Sequence, residues 1–274
     1  LLVAAFFWMM ERIVRRRSAS PFWRRAGFWT DCAWWMLTPL VTRTITRVGA
    51  GVAVFGIAWA TLGHPVKKEA LGAFLSRQTW AGELPLVAEI GLTLLAADLL
   101  GYWIHRLFHR GWLWRSHAVH HSSERLDWLA AVRVHPVNDL LGGVTRVTVL
   151  VLLGFRPTVL AGVVPFLTAY ALLLHADVPW TFGRAGRLVA SPMFHRWHHG
   201  RDAAGDGVNF GGFFTVWDHL FGTFHLPADA AAPPTGVREP VPSSLAGQLL
   251  YPFARKSPPI AAAAPVSPTG AASR

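Results

Sequence analysis

Long apolar runs alternate with short arginine-rich segments along this chain, and the run lengths sort its elements. Leu84–Ile104 has the length of a helix that crosses about 30 Å of hydrocarbon. It predicts a membrane span, prolonged by more than a turn through His109. Glu89 and Asp98 fall inside it and need partners in a bundle interior or at a site. Asp98, Tyr102, His105 and His109 follow a 4-3-4 spacing and so share one helical stripe. Upstream, Asp31–Gly63 is apolar but interrupted by Arg43 and Arg47. It predicts an interfacial segment to about Arg47 and then a span over roughly Val48–Leu62, with a single bent helix as the alternative. Gly63–Glu83 reads as a loop on the opposite face. Downstream, Asp139–Leu153 and Pro157–His175 flank Gly154-Phe155-Arg156-Pro157, which predicts a helical hairpin entering and leaving the membrane on one side.

The chain opens in an apolar run without methionine and reads as N-terminally incomplete. Leu1–Met10 followed by Glu11–Arg17 reads as the end of a membrane helix, because a signal peptide would place its basic residues first. From about Pro227 the composition turns to Ala, Pro and Ser. Leu245–Phe253 is expected to dock as a short apolar segment, and Ser257–Arg274 to be disordered. The resulting division is 1–83 for N-terminal membrane and interfacial helices, 84–226 for a central unit, and 227–274 for a tail.

Composition sharpens the membrane reading. Apolar residues make up 52% and charged residues 15%, against about 25% charged in soluble domains. Fourteen tryptophans suit membrane interfaces. The fold class expected is an all-α integral membrane bundle with about four transmembrane helices and a cytoplasmic helical cap. A net charge of +11 raises nucleic acid as a partner, but its placement argues against that. Arg12, Arg15, Arg16, Arg17, Arg24, Arg25, Arg106, Arg110 and Arg115 border apolar runs, as in juxtamembrane loops facing anionic headgroups. Cys32 stands alone, which excludes a disulfide framework and a cysteine metal site.

The candidate chemistry lies in three histidine clusters: His105-x3-His109, His117-x2-His120-His121 and His195-x2-His198-His199. Residues three and four apart share a helix face, so each cluster can aim two or three imidazoles at one point. Imidazole suits Fe, Zn, Cu and Ni. Eight converging rings exceed what one tetrahedral ion uses, so the spacing suggests two metals. No histidine is followed by Glu, which removes a protease-type zinc helix. The Glu-x2-His pairs of a four-helix carboxylate site are also missing. By the count of crossings, all three clusters lie on one face, and its Arg excess marks that face as cytoplasmic. Zinc-dependent hydrolysis with metal-activated water, and a metal-binding membrane protein without catalysis, are the readings from other classes.

From about Asp98 to Phe224 the sequence resembles the fatty acid hydroxylase/sterol desaturase superfamily of membrane di-iron oxygenases. The resemblance rests on Asp98-x3-Tyr102-Trp103-x-His105-Arg106-x2-His109, then Leu113-Trp114-x2-His117-x2-His120-His121-Ser122-Ser123. It continues through Arg133-x-His135-Pro136, His175, His195-x2-His198-His199, Asn209-x-Gly211 and Trp217-Asp218-His219-Leu220-Phe221-Gly222-Thr223. It implies a catalytic domain over 84–226, with two Fe ions (Zn in a purified form) that activate O2 to hydroxylate or desaturate a lipid. The lipid types implied are sterol, fatty acyl, carotenoid and alkylglycerol. It also implies that His175 is an isolated ligand. Some members carry another histidine where this chain has Ala171, and His135 is the candidate for that missing nitrogen. Asn209, Asp98 and Asp177 are candidates to orient ligands, with Asp218 similar; Tyr102 and Trp103 are candidate cavity residues. The sequence has no Gly-x-Gly-x2-Gly nucleotide motif and no haem or iron–sulfur ligand set. Electrons are therefore expected from a cytochrome b5-like protein, a ferredoxin or a reductase, at what would be a bacterial inner membrane.

Overall fold

A computed structural model describes residues 2–15, 22–62, 68–75, 79–201, 207–227 and 231–254. These residues are helical, with no β-strand beyond two isolated bridges, Val189–Phe214 and Gly200–Thr235. The segment Ser257–Arg274, expected to be disordered, lies outside them.

Helix α1, Leu2–Arg15, exposes Leu2, Phe6, Met9 and Ile13 along one stripe and buries Phe7 against Trp128. It runs on through Glu11, whose Oε1 accepts the backbone N–H groups of Asp177 (2.8 Å) and Trp128 (3.2 Å). The helix is thereby tied to two loops that flank the histidines. Helix α2, Phe28–Leu37, passes without a break through a π turn at Thr38–Thr42 into α3, Arg43–Leu62. This is the bent-helix alternative; the expected division at Arg47 is not present. The widening falls at Pro39, which has no N–H to donate and whose ring crowds the preceding turn. Thr38 Oγ1 donates there to the Val132 carbonyl (2.8 Å).

The expected loop Gly63–Glu83 instead contains a helix, α4 (Lys68–Leu75), whose Phe74 is buried among Ala58, Ala97 and Leu150. Helix α5, Leu86–Phe108, is the expected central span and ends four residues later than Ile104. Helix α6, Gly111–His121, follows after a sharp turn at Arg110 and Gly111. Helices α7 (Pro136–Leu152) and α8 (Pro157–His175) form the expected hairpin, with Gly154 at φ 92° in its turn. Glycine tolerates that left-handed conformation at little cost.

Phe28–Thr61, Leu86–Phe108 and Pro157–His175 are long and apolar enough to cross a membrane. Of the roughly four expected spans, the remaining one is α7, which has 17 residues and stands at the lower limit of crossing length. Helices α3 and α7 approach closely: a Cβ on Gly143 would lie 2.5 Å from Thr46 Cγ2. Thr46 Oγ1 also donates to Asp139 Oδ2 (3.0 Å). Glu89, the first carboxylate inside the central span, is buried and forms an ion pair with the partly exposed Arg156 of the hairpin turn. Its cost in hydrocarbon is offset at the end of the bundle away from the histidines. Three short helices complete the fold: α9 (Pro192–His198), α10 (Val216–Leu220) and α11 (Leu245–Leu250). As expected, Leu245–Phe253 docks: Gln248 is buried and accepts from Trp34 Nε1 at 2.6 Å.

Candidate metal centre

Nine histidines converge at one end of the bundle in two adjoining groups. The first holds His105, His109, His117, His121 and His198; the second holds His120, His175, His195 and His199. Within each group one nitrogen per ring lies within 4.8 Å of all the others. The sorting follows from helical rotation of about 100° per residue. In α6, His117 and His121 are one turn apart and serve the first group, while His120 is turned toward the second. Helix α9 reverses the arrangement: His195 and His199 serve the second group and His198 the first. The two groups touch where His121 and His199 stack with ring centroids 4.2 Å apart. Helix α9 itself starts at a defined point, with Ser191 Oγ accepting the Phe194 N–H (3.2 Å) and Pro192 at the first helical position.

Outer hydrogen bonds fix which ring nitrogens face inward. Nδ1 of His105 lies 2.9 Å from the Phe210 carbonyl and that of His198 lies 2.8 Å from the Val208 carbonyl. Nδ1 of His120 lies 3.2 Å from the Arg133 carbonyl and that of His175 lies 2.7 Å from the Ala171 carbonyl. Carbonyl oxygens only accept, so all four rings carry their proton on Nδ1 and present an Nε2 lone pair. His117 Nδ1 meets Asn138 Oδ1 at 2.8 Å. Burial, and then the neighbouring imidazoles, push His109, His117, His120, His121, His195, His198 and His199 well below the ordinary imidazole range. These rings are neutral, the form in which imidazole binds a metal.

That protonation pattern tests the fit to a metal. Nε2 of His120 and Nε2 of His175 are 3.1 Å apart, yet neither ring has a proton to place between them. The facing lone pairs repel unless a cation lies between the rings. His175–His195 (3.2 Å), His195–His199 (3.1 Å) and His117–His121 (3.2 Å) repeat this spacing. Neighbouring donors around an ion at about 2.1 Å are separated by about 3.0–3.4 Å, so the spacing is that of a shared ion. Among the described residues, the buried Nε2 atoms of His109 and His198 have no hydrogen-bond partner. The donor set fits two first-row transition metals.

His135 is not brought into either group. Its Nδ1 accepts the Val137 N–H (3.1 Å), capping α7, and its Nε2 meets the Leu249 carbonyl (3.0 Å). Both nitrogens are used, so it cannot supply the nitrogen expected at Ala171; the Ala171 carbonyl orients His175 instead. Asn209 is likewise not aimed at a ligand. At φ 58°, its side chain bonds the backbone of Phe194 (2.8 Å) and of His225 (2.7 Å in both directions). Asp98 orients no imidazole. Its oxygens accept the N–H groups of Phe213 and Phe214 (both 2.8 Å) and Trp217 Nε1 (3.0 Å). Asp177 pairs with Arg196 (2.9 Å), which also donates to the Leu126 carbonyl (2.8 Å). Asp218 accepts Phe210 N (2.7 Å), Gly211 N (2.9 Å) and Thr223 Oγ1 (2.7 Å). These carboxylates hold the loops that hold the rings. Tyr102 is fully buried and bonded to Thr223 (2.9 Å), whereas Trp103 is exposed.

The sequence reading missed Asn138 and the main-chain carbonyls. Asn138 had one signal, a polar side chain at the start of an apolar helix. The carbonyls had none, because any residue type supplies one.

The fatty acid hydroxylase family profile matches residues 90–223. An ornithine lipid hydroxylase of Rhizobium tropici is 30% identical over 219 residues, covering 79% of this chain and 64% of its own length. An alkylglycerol monooxygenase of Danio rerio is 31% identical over 139 residues, 50% of this chain and 31% of that protein. A very-long-chain aldehyde decarbonylase of Oryza sativa subsp. indica is 28% identical over 169 residues, 55% and 25% of the two chains. The chain thus spans less than two thirds of the length of these relatives. No solved structure matches it.

Proposed function

Because the chain belongs to the fatty acid hydroxylase family, we propose that it is a membrane oxygenase that uses O2 and electrons from a separate donor to hydroxylate a lipid. The metals in this reading are two iron ions, one in each histidine group. Bound and reduced iron supplies the O2 activation that an unactivated C–H bond demands. The protein's own residues prepare the site for it. Carbonyls of Phe210, Val208, Arg133 and Ala171 hold the Nδ1 protons, leaving the Nε2 lone pairs inward. Burial keeps the rings neutral, and the apolar spans bring a lipid to the end of the bundle where the histidines lie.

The observation that carries this reading is the contact of His120 with His175, two proton-less Nε2 atoms 3.1 Å apart. The names of the hydroxylase and monooxygenase relatives favour hydroxylation over desaturation. The donor in this reading is a cytochrome b5-like protein, a ferredoxin or a reductase. The histidine end faces the cytoplasm of a bacterial inner membrane.

Metal analysis and product analysis of the full chain test the proposal together. The expected result is two irons per chain, reduced in His120→Ala and His175→Ala, with a lipid product 16 mass units heavier that needs both O2 and reductant. Two zincs per chain with turnover in the absence of O2 would overturn it.

A further inference from the structure

A cleft of about 450 Å³ opens beside the first histidine group, a size suited to a small polar ligand. His109, His121 and His198 form one wall; Arg106, Arg110, Arg201 and Arg238 line it together with Trp114 and Phe210, and Glu239 is the only carboxylate among the described residues that line it. Two of the arginines are already engaged. Arg106 donates to Tyr102 Oη (3.1 Å), and Arg201 pairs with Glu124 (3.0 Å). Arg110 and Arg238 are exposed and make no side-chain hydrogen bond or ion pair among the described residues. Glu239 is engaged by Trp114 Nε1 (3.0 Å).

The cleft sits where the central span ends. Arg110 lies two residues beyond the end of α5, and Trp103 and Leu107 of α5 and Trp112 of α6 are exposed beside it in sequence. This is the level at which lipid headgroups lie. Guanidinium forks suit phosphate and carboxylate oxygens in two-point hydrogen bonds. A protein partner would meet a protruding charged rim, whereas here Arg106 and Arg201 are half-buried in a concavity.

We propose that this cleft binds the anionic headgroup, phosphate or carboxylate, of the lipid substrate, with Arg110 and Arg238 as its specificity-determining side chains; the inference rests on the oxygenase reading above. It has a consequence for where the lipid is oxidised. A cavity of this volume is on the order of 10 Å across, and one wall is made of the histidines themselves. A headgroup held at Arg110 and Arg238 therefore presents the carbons of its own end of the lipid to the site, not the far end of an acyl chain.

The test uses the purified full chain in detergent, equilibrated with equimolar phosphatidylglycerol and phosphatidylcholine, with bound lipid counted by mass spectrometry. Phosphatidylglycerol is expected to be retained at least fivefold over phosphatidylcholine, with millimolar inorganic phosphate reducing the excess. R110Q/R238Q should bring the ratio near one with metal stoichiometry unchanged, and R110K/R238K should keep most of the excess. A ratio near one in the native chain would overturn the proposal, as would an unchanged ratio in R110Q/R238Q. Inorganic phosphate binding without lipid enrichment also overturns it, leaving a free-anion site. So does an unchanged ratio with turnover lost only when an acidic ferredoxin supplies the electrons, which marks a donor-docking face. Selective lipid retention without any oxidised product keeps the cleft and removes the oxygenase reading. Equal oxidation of both lipids does the reverse.

Discussion

Replacing Asn138 by Ala isolates the worth of a single outer hydrogen bond at the metal centre. His117 is oriented by that side chain, Nδ1 to Oδ1 at 2.8 Å, whereas His105, His120, His175 and His198 lean on main-chain carbonyls that no substitution removes. Without Asn138 the ring can rotate, and it can move its proton to Nε2, the inward nitrogen. The hydrogen bond alone contributes about 1 kcal/mol net. Losing an outer partner of a metal ligand typically costs about 10–100-fold in metal affinity, or roughly 1.4–2.7 kcal/mol. Four other imidazoles remain in the first group, so the lower part of that range is expected, about 10–30-fold. Competition of the purified chain against a chelator, titrated with ferrous or cobaltous ion, measures it. Asn138→Asp supplies a stronger acceptor and should bind as tightly as the native chain or more so. Unchanged affinity in Asn138→Ala would refute the reasoning. Weakening in Asn138→Asp alone would show that the amide donates to His117 and that its tautomer is inverted.

Three further outcomes follow from the packing and the charges. Gly143→Ala places a Cβ 2.5 Å from the methyl group of Thr46, a β-branched side chain with little rotamer freedom. The change should destabilise the chain by about 1–3 kcal/mol, while Gly56→Ala, with nothing within 4 Å, should be neutral or stabilising by up to about 1 kcal/mol; thermal unfolding in detergent compares them. Burial, more than nearby Asp127, raises the Glu11 carboxyl from 4.5 to about 7. The folded state then favours the protonated acid, a contribution present below about 4.5 and lost as pH rises through about 7, worth on the order of 3 kcal/mol. Relative to Glu11→Gln, the native chain should therefore lose thermal stability between pH 5 and pH 8; parallel curves would exclude the shift. His135→Ala should keep the full metal stoichiometry but cost about 1–2 kcal/mol through the lost cap and the lost Leu249 contact. Faster hydrogen exchange over 245–253 reads that loss, and a missing metal would return His135 to the ligands.

Legibility in the sequence tracked the range of the interactions. The central span and the hairpin were readable because apolar run length and a Gly-Phe-Arg-Pro turn are local signals. Eight of the nine converging histidines were readable because spacing of three and four on a helix is local too. His175 had no such neighbour and depended on family resemblance. The division expected at Arg47 is absent because Arg43 and Arg47 only looked like a boundary, while the bend follows from Pro39 and the Thr38–Val132 contact. The loop expected at Gly63–Glu83 hid α4, since eight residues make barely two turns and leave little periodicity. His135 and Asn209 were misread for one reason. Their alternatives to metal chemistry are bonds to the Leu249, Phe194 and His225 main chain, and tertiary backbone partners leave no trace in residue identity.

The reversed use of the two His-x2-His-His segments makes the centre a single mechanical unit. On either helix, the i and i+4 rings lie about 40° apart and the i+3 ring about 60° to the other side. Rotation of α6 or α9 therefore withdraws donors from both groups together. Neither helix is long enough to hold its own rotation, with 11 and 7 residues. The restraint comes from what packs on them. Arg133 offers its carbonyl to His120 and its side chain to Asp31 of α2 (2.8 Å) and Ser122 (3.1 Å). Arg196, between two ligand positions of α9, is fixed by Asp177 and the Leu126 carbonyl. The segment that carries the Val208 and Phe210 carbonyls is gripped by Asp218, and Phe213 and Phe214 just beyond it by Asp98 of the central span. The carboxylates expected to orient the ligands directly thus hold the loops and helices around them, transmitting the stiffness of the membrane helices to rings that must stay within a few tenths of an ångström of their positions.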